Sequence, residues 1–236
     1  MTIVLCLFGV ALVSFLYITR KIFIQQKTSF DDRIFAYLKG HVNERNNNTM
    51  RFFTFLGTHT FLIPANLALI AYLLFIKQDK WNSIKTPAIA LSSLGLMFLL
   101  KHAFNRERPA IPLLKEAAGL SFPSGHALMS VTFYGLISYL IFKAYRDKDE
   151  KWIPIGLLLL LIFIIGFSRI YLRVHYASDV LAGYCIGFLW LVFAVWLLNR
   201  IEYGQHRLAA SGVKGWGAVR PFWRGRHLDF FNGPFH

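Results

Sequence analysis

Residues 152–172 read WIPIGLLLLLIFIIGFSRIYL. No charge interrupts the run before Arg169, and its length is close to the roughly 20 residues a helix needs to cross the hydrocarbon core of a bilayer. Five more apolar runs resemble it, at 2–19, 53–76, 87–104, 127–144 and 180–199, with 87–104 and 127–144 the most interrupted. Lipid offers backbone N–H and C=O groups no partner, so each run is expected to be a helix that satisfies its own peptide groups. The chain therefore reads as all-α, an integral membrane bundle of six transmembrane helices. Six spans return both termini to one side and gather the loops after spans one, three and five on the other.

Composition agrees. Of 236 residues, 56% are hydrophobic and 16% charged, with a mean hydropathy of +0.46, too little polar surface for a soluble domain of this length. The net charge of +14 is spread over short loops and forms no contiguous basic face. That pattern excludes nucleic acid as the expected partner and favours membrane lipid headgroups and a phosphorylated substrate. Cys6 and Cys185 both sit in apolar runs, without metal-ligand spacing or a disulfide framework. The first run, Thr2 to Ile18, lacks a basic leader and a small-x-small cleavage site, so it is expected to be a retained anchor.

Between the first two runs, Ser29 and Asp32 have capping-box spacing, and Ile34, Phe35, Leu38 and Val42 repeat at helical spacing. They predict a short amphipathic helix from about Phe30 to Val42 on the membrane surface, broken by Asn46-Asn47-Asn48. A six-span domain covers residues 1–203, with its core at about 53–199. Residues 204–236 are Gly-, Arg- and aromatic-rich, and are expected to be a flexible tail or an addition foreign to the native chain. Half of the 26 lysines and arginines fall on the side of the termini. Setting aside Lys101, Arg108 and Arg169 leaves fewer on the other side, which leans towards termini inside.

Three motifs carry the chemistry, and all lie at the ends of apolar runs on the shared side. Lys101 and Arg108 are seven apart, so they project from one helical face if the third span continues to Arg108. Arg106, Lys115 and Arg173 are read instead as cations snorkelling to headgroups. Ser121-Phe-Pro-Ser124-Gly125-His126 opens the fourth span. A helix N-terminus suits an anion, Gly125 permits close backbone approach, and Ser124 adds a donor. Arg169 can fork onto two phosphate oxygens. His175 and Asp179 are four apart, which predicts neighbours on one helical face, with the carboxylate fixing the tautomer and one ring nitrogen left free to attack. His102 and His59 are assigned packing or headgroup roles. Glu107 and Glu116 have no catalytic positioning, and Tyr171, Tyr176 and Trp152 are taken as interfacial anchors.

At these residues the chain resembles the type-2 phosphatidic acid phosphatases, whose signature reads K-x6-R-P, P-S-G-H and S-R-x5-H-x3-D. Every element is present, with residues 110–122 between the first two motifs and 127–167 between the second and third. The compact loops are most similar to those of bacterial members, phosphatidylglycerophosphate phosphatase B and undecaprenyl pyrophosphate phosphatases. The resemblance implies that His175 attacks phosphorus to give a phosphohistidine. It implies that Asp179 orients His175, that protonated His126 donates to the leaving oxygen, and that Lys101, Arg108, Ser124, Gly125 and Arg169 cradle the phosphate oxygens. It implies no metal and no cofactor. The expected substrate is undecaprenyl diphosphate, phosphatidylglycerophosphate or phosphatidate, met on the extracytoplasmic face of the inner membrane. Alternatives are a lipid A or sugar-phosphate phosphatase of the same family and a non-catalytic lipid-phosphate binder or transporter. A vanadium haloperoxidase is disfavoured by the six apolar runs.

Overall fold

The computed structural model describes residues 2–110, 112–113 and 119–210, with the side chains of 209 and 210 excepted. Eight α-helices follow in chain order among these residues. Helix α1 (Thr2–Ile24) is the first span. Two short helices follow, α2 (Ser29–Lys39) and α3 (Glu44–Phe55), and then the five remaining spans: α4 (His59–Ile76), α5 (Lys80–Phe104), α6 (Gly125–Ala144), α7 (Trp152–Tyr171, entered through a 3₁₀ turn at Asp149–Lys151) and α8 (Ala177–Ala210). Six helices are long and apolar enough to cross a membrane, so the six-span all-α reading holds. Cys6 and Cys185 are free.

The local corrections have identifiable causes. Asn46-Asn47-Asn48 does not break a helix. Asn43 takes extended backbone and its side chain accepts from the Asn46 N–H at 2.9 Å, which starts α3 and places the three asparagines inside it. The second span consequently begins at His59 rather than at 53. The helix predicted from Phe30 to Val42 runs instead from Ser29 to Lys39, with the Thr28 hydroxyl donating to the Asp32 carboxylate at 2.9 Å beside its first turn. The last helix runs past 203 to Ala210. The rest of the predicted tail, like Lys115 and Glu116, lies outside the described residues.

The packing order explains why the motifs meet. Helix α6 makes its most extensive contact with α8, and next with α7. In lipid, helices associate through close packing rather than through exclusion of water, so small residues mark the contact. Gly183 and Gly187 on α8 face α6. A Cβ at Gly183 would come 2.7 Å from the Ser124 carbonyl oxygen, and one at Gly187 would come 2.9 Å from that of Leu128. The two glycines therefore let the N-terminus of α6 settle on the first turns of α8. Helices α2 and α3 cover the α7–α8 turn at the same end. Leu38, Tyr171, Leu172 and Val174 form one buried cluster there, with Ile34, Val42 and Met50 packed on it. Tyr171, expected at the interface, is instead buried and donates to the His41 carbonyl at 2.9 Å. Trp152 is exposed, as an anchor would be.

Candidate active site

Lys101 lies in the last turn of α5, where its ammonium donates to the Leu120 carbonyl. The helix does not reach Arg108. Asn105 adopts left-handed backbone (φ 44°) and its N–H closes on the Lys101 carbonyl at 2.9 Å, ending the helix at Phe104. Arg108 therefore does not share a helical face with Lys101. It reaches the same place from a non-helical segment, donating to the Gly119 carbonyl at 2.9 Å and to the Val174 carbonyl at 2.8 Å. Its Nη1 also lies 3.3 Å from His175 Nε2.

Ser124 occupies the N-cap of α6 but makes no side-chain capping bond, and its backbone N–H donates to the Asp179 carbonyl at 3.0 Å. Gly125 faces Met97, whose sulfur would lie 2.6 Å from an added Cβ. Arg169, at the end of α7, is 4% exposed and donates through Nη1 to Thr54 Oγ1 at 2.9 Å. Thr54 Oγ1 in turn lies 2.8 Å from Ser168 Oγ. Three buried polar atoms in this cluster, Ser124 Oγ, His126 Nε2 and Arg169 Nε, have no hydrogen-bond partner among the described residues. Buried polar groups are ordinarily paired, so three orphans in one place mark a site shaped for the oxygens of a ligand.

His175 and Asp179 do not sit on one helical face, because α8 begins only at Ala177. The His175 N–H bonds back to the Arg169 carbonyl at 3.2 Å, in the turn between helices. Asp179 Oδ2 is 3.7 Å from His175 Nδ1, too far for a direct hydrogen bond. Ser121 bridges them, with its hydroxyl 3.3 Å from His175 Nδ1 and 2.5 Å from Asp179 Oδ2. A guanidinium has only donors, so the contact with Arg108 makes His175 Nε2 the acceptor and puts the proton of the neutral ring on Nδ1. The chain then runs His175 Nδ1–H to Ser121, and Ser121 O–H to Asp179. Burial holds the His175 ring well below the usual imidazole range; Arg169, Arg108 and Lys101 push it the same way, and Ser121 partly opposes them. The ring is thus neutral at pH 7, with a lone pair on Nε2.

The chain as a whole is similar to known proteins. Residues 84–203 match the model of the PAP2 superfamily, half of the chain. Phosphatidylglycerophosphatase B of Bacillus subtilis is 31% identical over 147 residues, 61% of this chain and 70% of that one. The undecaprenyl-diphosphatase of Sulfolobus acidocaldarius is 28% identical over 72% of this chain and 78% of its own length. The crystal structure of the transmembrane PAP2-type phosphatidylglycerolphosphate phosphatase from Bacillus subtilis superposes with a TM-score of 0.75 at 25% identity, covering 82% of this chain and 96% of that one. That of Aquifex aeolicus LpxE gives a TM-score of 0.54 at 26% identity, over 69% and 93% of the two chains.

The chain belongs to the PAP2 superfamily. It is a multi-pass membrane protein of a lipid phosphatase family, and Lys101, Arg108, Ser124, Gly125, His126, Arg169, His175 and Asp179 lie at one end of the bundle. Sequence reasoning missed four more. Ser121 enters the sequence reading only as the first residue of the stretch that opens the fourth span. Arg106, assigned to headgroups, is part of the site: it donates to Asp179 Oδ1 at 2.5 Å and to Ser178 Oγ at 2.8 Å, and stacks 4.0 Å from the centre of the Tyr176 ring. Tyr176 is accordingly a platform for Arg106, not an anchor. Asp31 and Thr54 come from α2 and α3, outside residues 84–203. No local signal in the sequence points to Asp31 or Thr54, because their contacts with Arg106 and Arg169 are made across long stretches of chain.

Proposed function

We propose that this PAP2 protein is a metal-independent phosphatase that hydrolyses a lipid phosphate monoester or diphosphate through a phosphohistidine. The observation that carries the reading is the setting of His175. Its Nε2 lone pair lies beside Arg108, and Nδ1 is tied through Ser121 to Asp179. In the first step Nε2 attacks phosphorus and the bond from phosphorus to the lipid-side oxygen breaks. The electron pair leaves on that oxygen, which takes a proton from His126. Water then attacks phosphorus and gives its proton to His126. The P–N bond breaks, and its electrons return to the His175 ring. Lys101, Arg108 and Arg169, with Ser124 and the N–H groups at Gly125, hold the equatorial oxygens as charge shifts. These fixed cations do the work that a divalent ion does in other phosphoryl transfers, and this supports metal independence.

Undecaprenyl diphosphate, phosphatidylglycerophosphate and phosphatidate are the candidate substrates. The relatives named for phosphatidylglycerophosphate and for undecaprenyl diphosphate support this class, and the lipid chain would lie among apolar helices with the phosphate at their end. The charge bias of the loops supports a site on the extracytoplasmic face of the inner membrane. One experiment tests chemistry and sidedness together. Right-side-out and inverted membrane vesicles carrying the protein are given farnesyl diphosphate or dioctanoyl phosphatidate in excess EDTA. Right-side-out vesicles should release phosphate before detergent is added, and inverted ones only after. Activity that dies in EDTA and returns with magnesium or zinc defeats the metal-free scheme. The reverse vesicle pattern defeats the orientation.

A further inference from the structure

We propose that Asp31 on α2 is a positioning residue for phosphoryl transfer: it neutralises Arg106, so that Asp179 keeps one net negative charge to set against the His175 ring. The inference rests on the reading of His175 as the nucleophile.

Asp31 is 2% exposed and accepts three hydrogen bonds. The Ser178 N–H reaches Oδ1 at 2.9 Å, while the Ser178 hydroxyl and Arg106 Nη2 reach Oδ2 at 2.6 and 2.9 Å. The other arm of Arg106 is on Asp179. A single guanidinium paired with Asp179 alone would cancel the carboxylate. Asp179 would then have nothing left with which to offset the positive charge that builds on His175 during attack. Two carboxylates on one guanidinium leave a net charge of minus one. Fixing this pairing takes a rigid frame, and the frame is present. The Arg106 guanidinium carbon sits 4.0 Å from the centre of the Tyr176 ring, the Tyr176 N–H donates to Asp179 Oδ2 at 3.0 Å, and the Tyr176 and Phe35 ring centres are 5.8 Å apart. The docking of α2 is thus tied to the site by Asp31 and by Phe35.

The other charged groups make the missing minus one matter. His175 is acted on by Lys101 from α5, Arg108 from the segment after it and Arg169 from α7, by His126 from α6 and by Asp179 from α8, while Arg106 reaches it only through Asp179. Asp31, with Asp32 beside it, comes from α2. Lys101, Arg108 and Arg169 all disfavour a proton on the ring. In so cationic a setting, one carboxylate more or less moves both the nucleophile's basicity and the stability of its charged intermediate.

The test is the acid limb of kcat/KM for farnesyl diphosphate hydrolysis by the purified full-length protein, compared among D31N, R106Q and the double variant. The limb reports loss of neutral His175 in the free enzyme, and comparison on one substrate removes the substrate's own titration. R106Q leaves two carboxylates unopposed, which favours the protonated ring and moves the limb to higher pH by about one unit. Adding D31N to R106Q removes one of the two charges and returns the limb towards wild type. D31N alone lowers kcat about tenfold with KM little changed, and moves the limb to lower pH. D31E, which keeps the charge, restores the wild-type limb and covers the case in which D31N does not fold. A limb that stays put in R106Q, or a double variant no closer to wild type than R106Q, overturns the assignment and leaves Asp31 a docking contact. Quenching turnover in an alkaline denaturant, which preserves a P–N bond, separates this from failure of the underlying reading. Wild type should carry an acid-labile, base-stable phosphoryl group that His175→Ala lacks, and its absence removes the nucleophile itself.

Discussion

The two ends of the helix bundle both bury charge, and they do so in opposite ways. At the far end, Lys85 is 3% exposed yet paired, donating to Asn199 Oδ1 and, at 2.6 Å, to Glu202 Oε2. Asn199 donates onward to the Tyr139 hydroxyl at 3.1 Å, and Asp79 caps α5 by accepting from the Asn82 N–H at 3.0 Å. At the site end, cations outnumber carboxylates, and Ser124 Oγ, His126 Nε2 and Arg169 Nε have no partner among the described residues. Saturated hydrogen bonding belongs to a group whose task is to hold helices together. Unsaturated hydrogen bonding, in a buried place where it costs stability, belongs to a group whose partner arrives with the substrate. Burial alone does not separate the two ends; the balance of donors and acceptors does.

The largest break in this comparison is His175→Ala. Removing the nucleophile should cut phosphate release at least about 10³-fold, the scale seen when one member of a covalent catalytic unit is lost. His175 lies in a turn with its N–H on the Arg169 carbonyl, so that backbone contact remains and the melting temperature in detergent should change little. A variant that keeps near-normal turnover would show that the unsaturated end is not where phosphorus is attacked. Next in size is Arg169→Lys. Nη1 of the guanidinium is occupied by Thr54 and the orphan Nε is left for an oxygen. An ammonium cannot serve both directions at once, so kcat should fall about 10²-fold, the scale of losing one preorganised donor. Equal rates for lysine and arginine would mean that the fork is not used.

How much of each end could be read in the sequence follows from how local its causes are. The spans are local. Run length and apolarity settle them, and the alternation of spans then brings the ends of α5, α6 and α7 together. The family motifs were legible for the same reason, because each is a short string beside a span end. What failed was geometry inside those strings. Arg108 was placed on α5 because Lys101 and Arg108 have helical spacing, but Asn105 tolerates left-handed backbone and stops the helix first. His175 and Asp179 were placed on one face because four-residue spacing reads as helix, but the helix starts between them and Ser121 fills the gap. Arg106 looked like any interfacial cation, since nothing near it in sequence names Asp31 or Asp179 as its partners. Asp31 and Thr54 act across long stretches of chain, and no local period records such a contact.

The smallest expected effect on catalysis is the sharpest test of the comparison, because it falls on the far end. Lys85→Met takes the 2.6 Å cation from the Glu202 side chain, only 17% exposed, and leaves it the more distant His206 ring at 3.9 Å. Breaking a buried pair from one side typically costs about 3–5 kcal/mol, whereas replacing both partners is nearly neutral. Lys85→Met should therefore melt well below wild type, and Lys85→Met with Glu202→Gln should recover most of the loss. In both variants, kcat per folded molecule should stay within about twofold of wild type, as expected for an interaction made equally in ground and transition states. Thermal unfolding followed alongside phosphate release separates the two quantities. If the single variant kept its stability but lost turnover, the saturated end would have a part in the reaction, and hydrogen-bond saturation would no longer distinguish holding from acting in this fold.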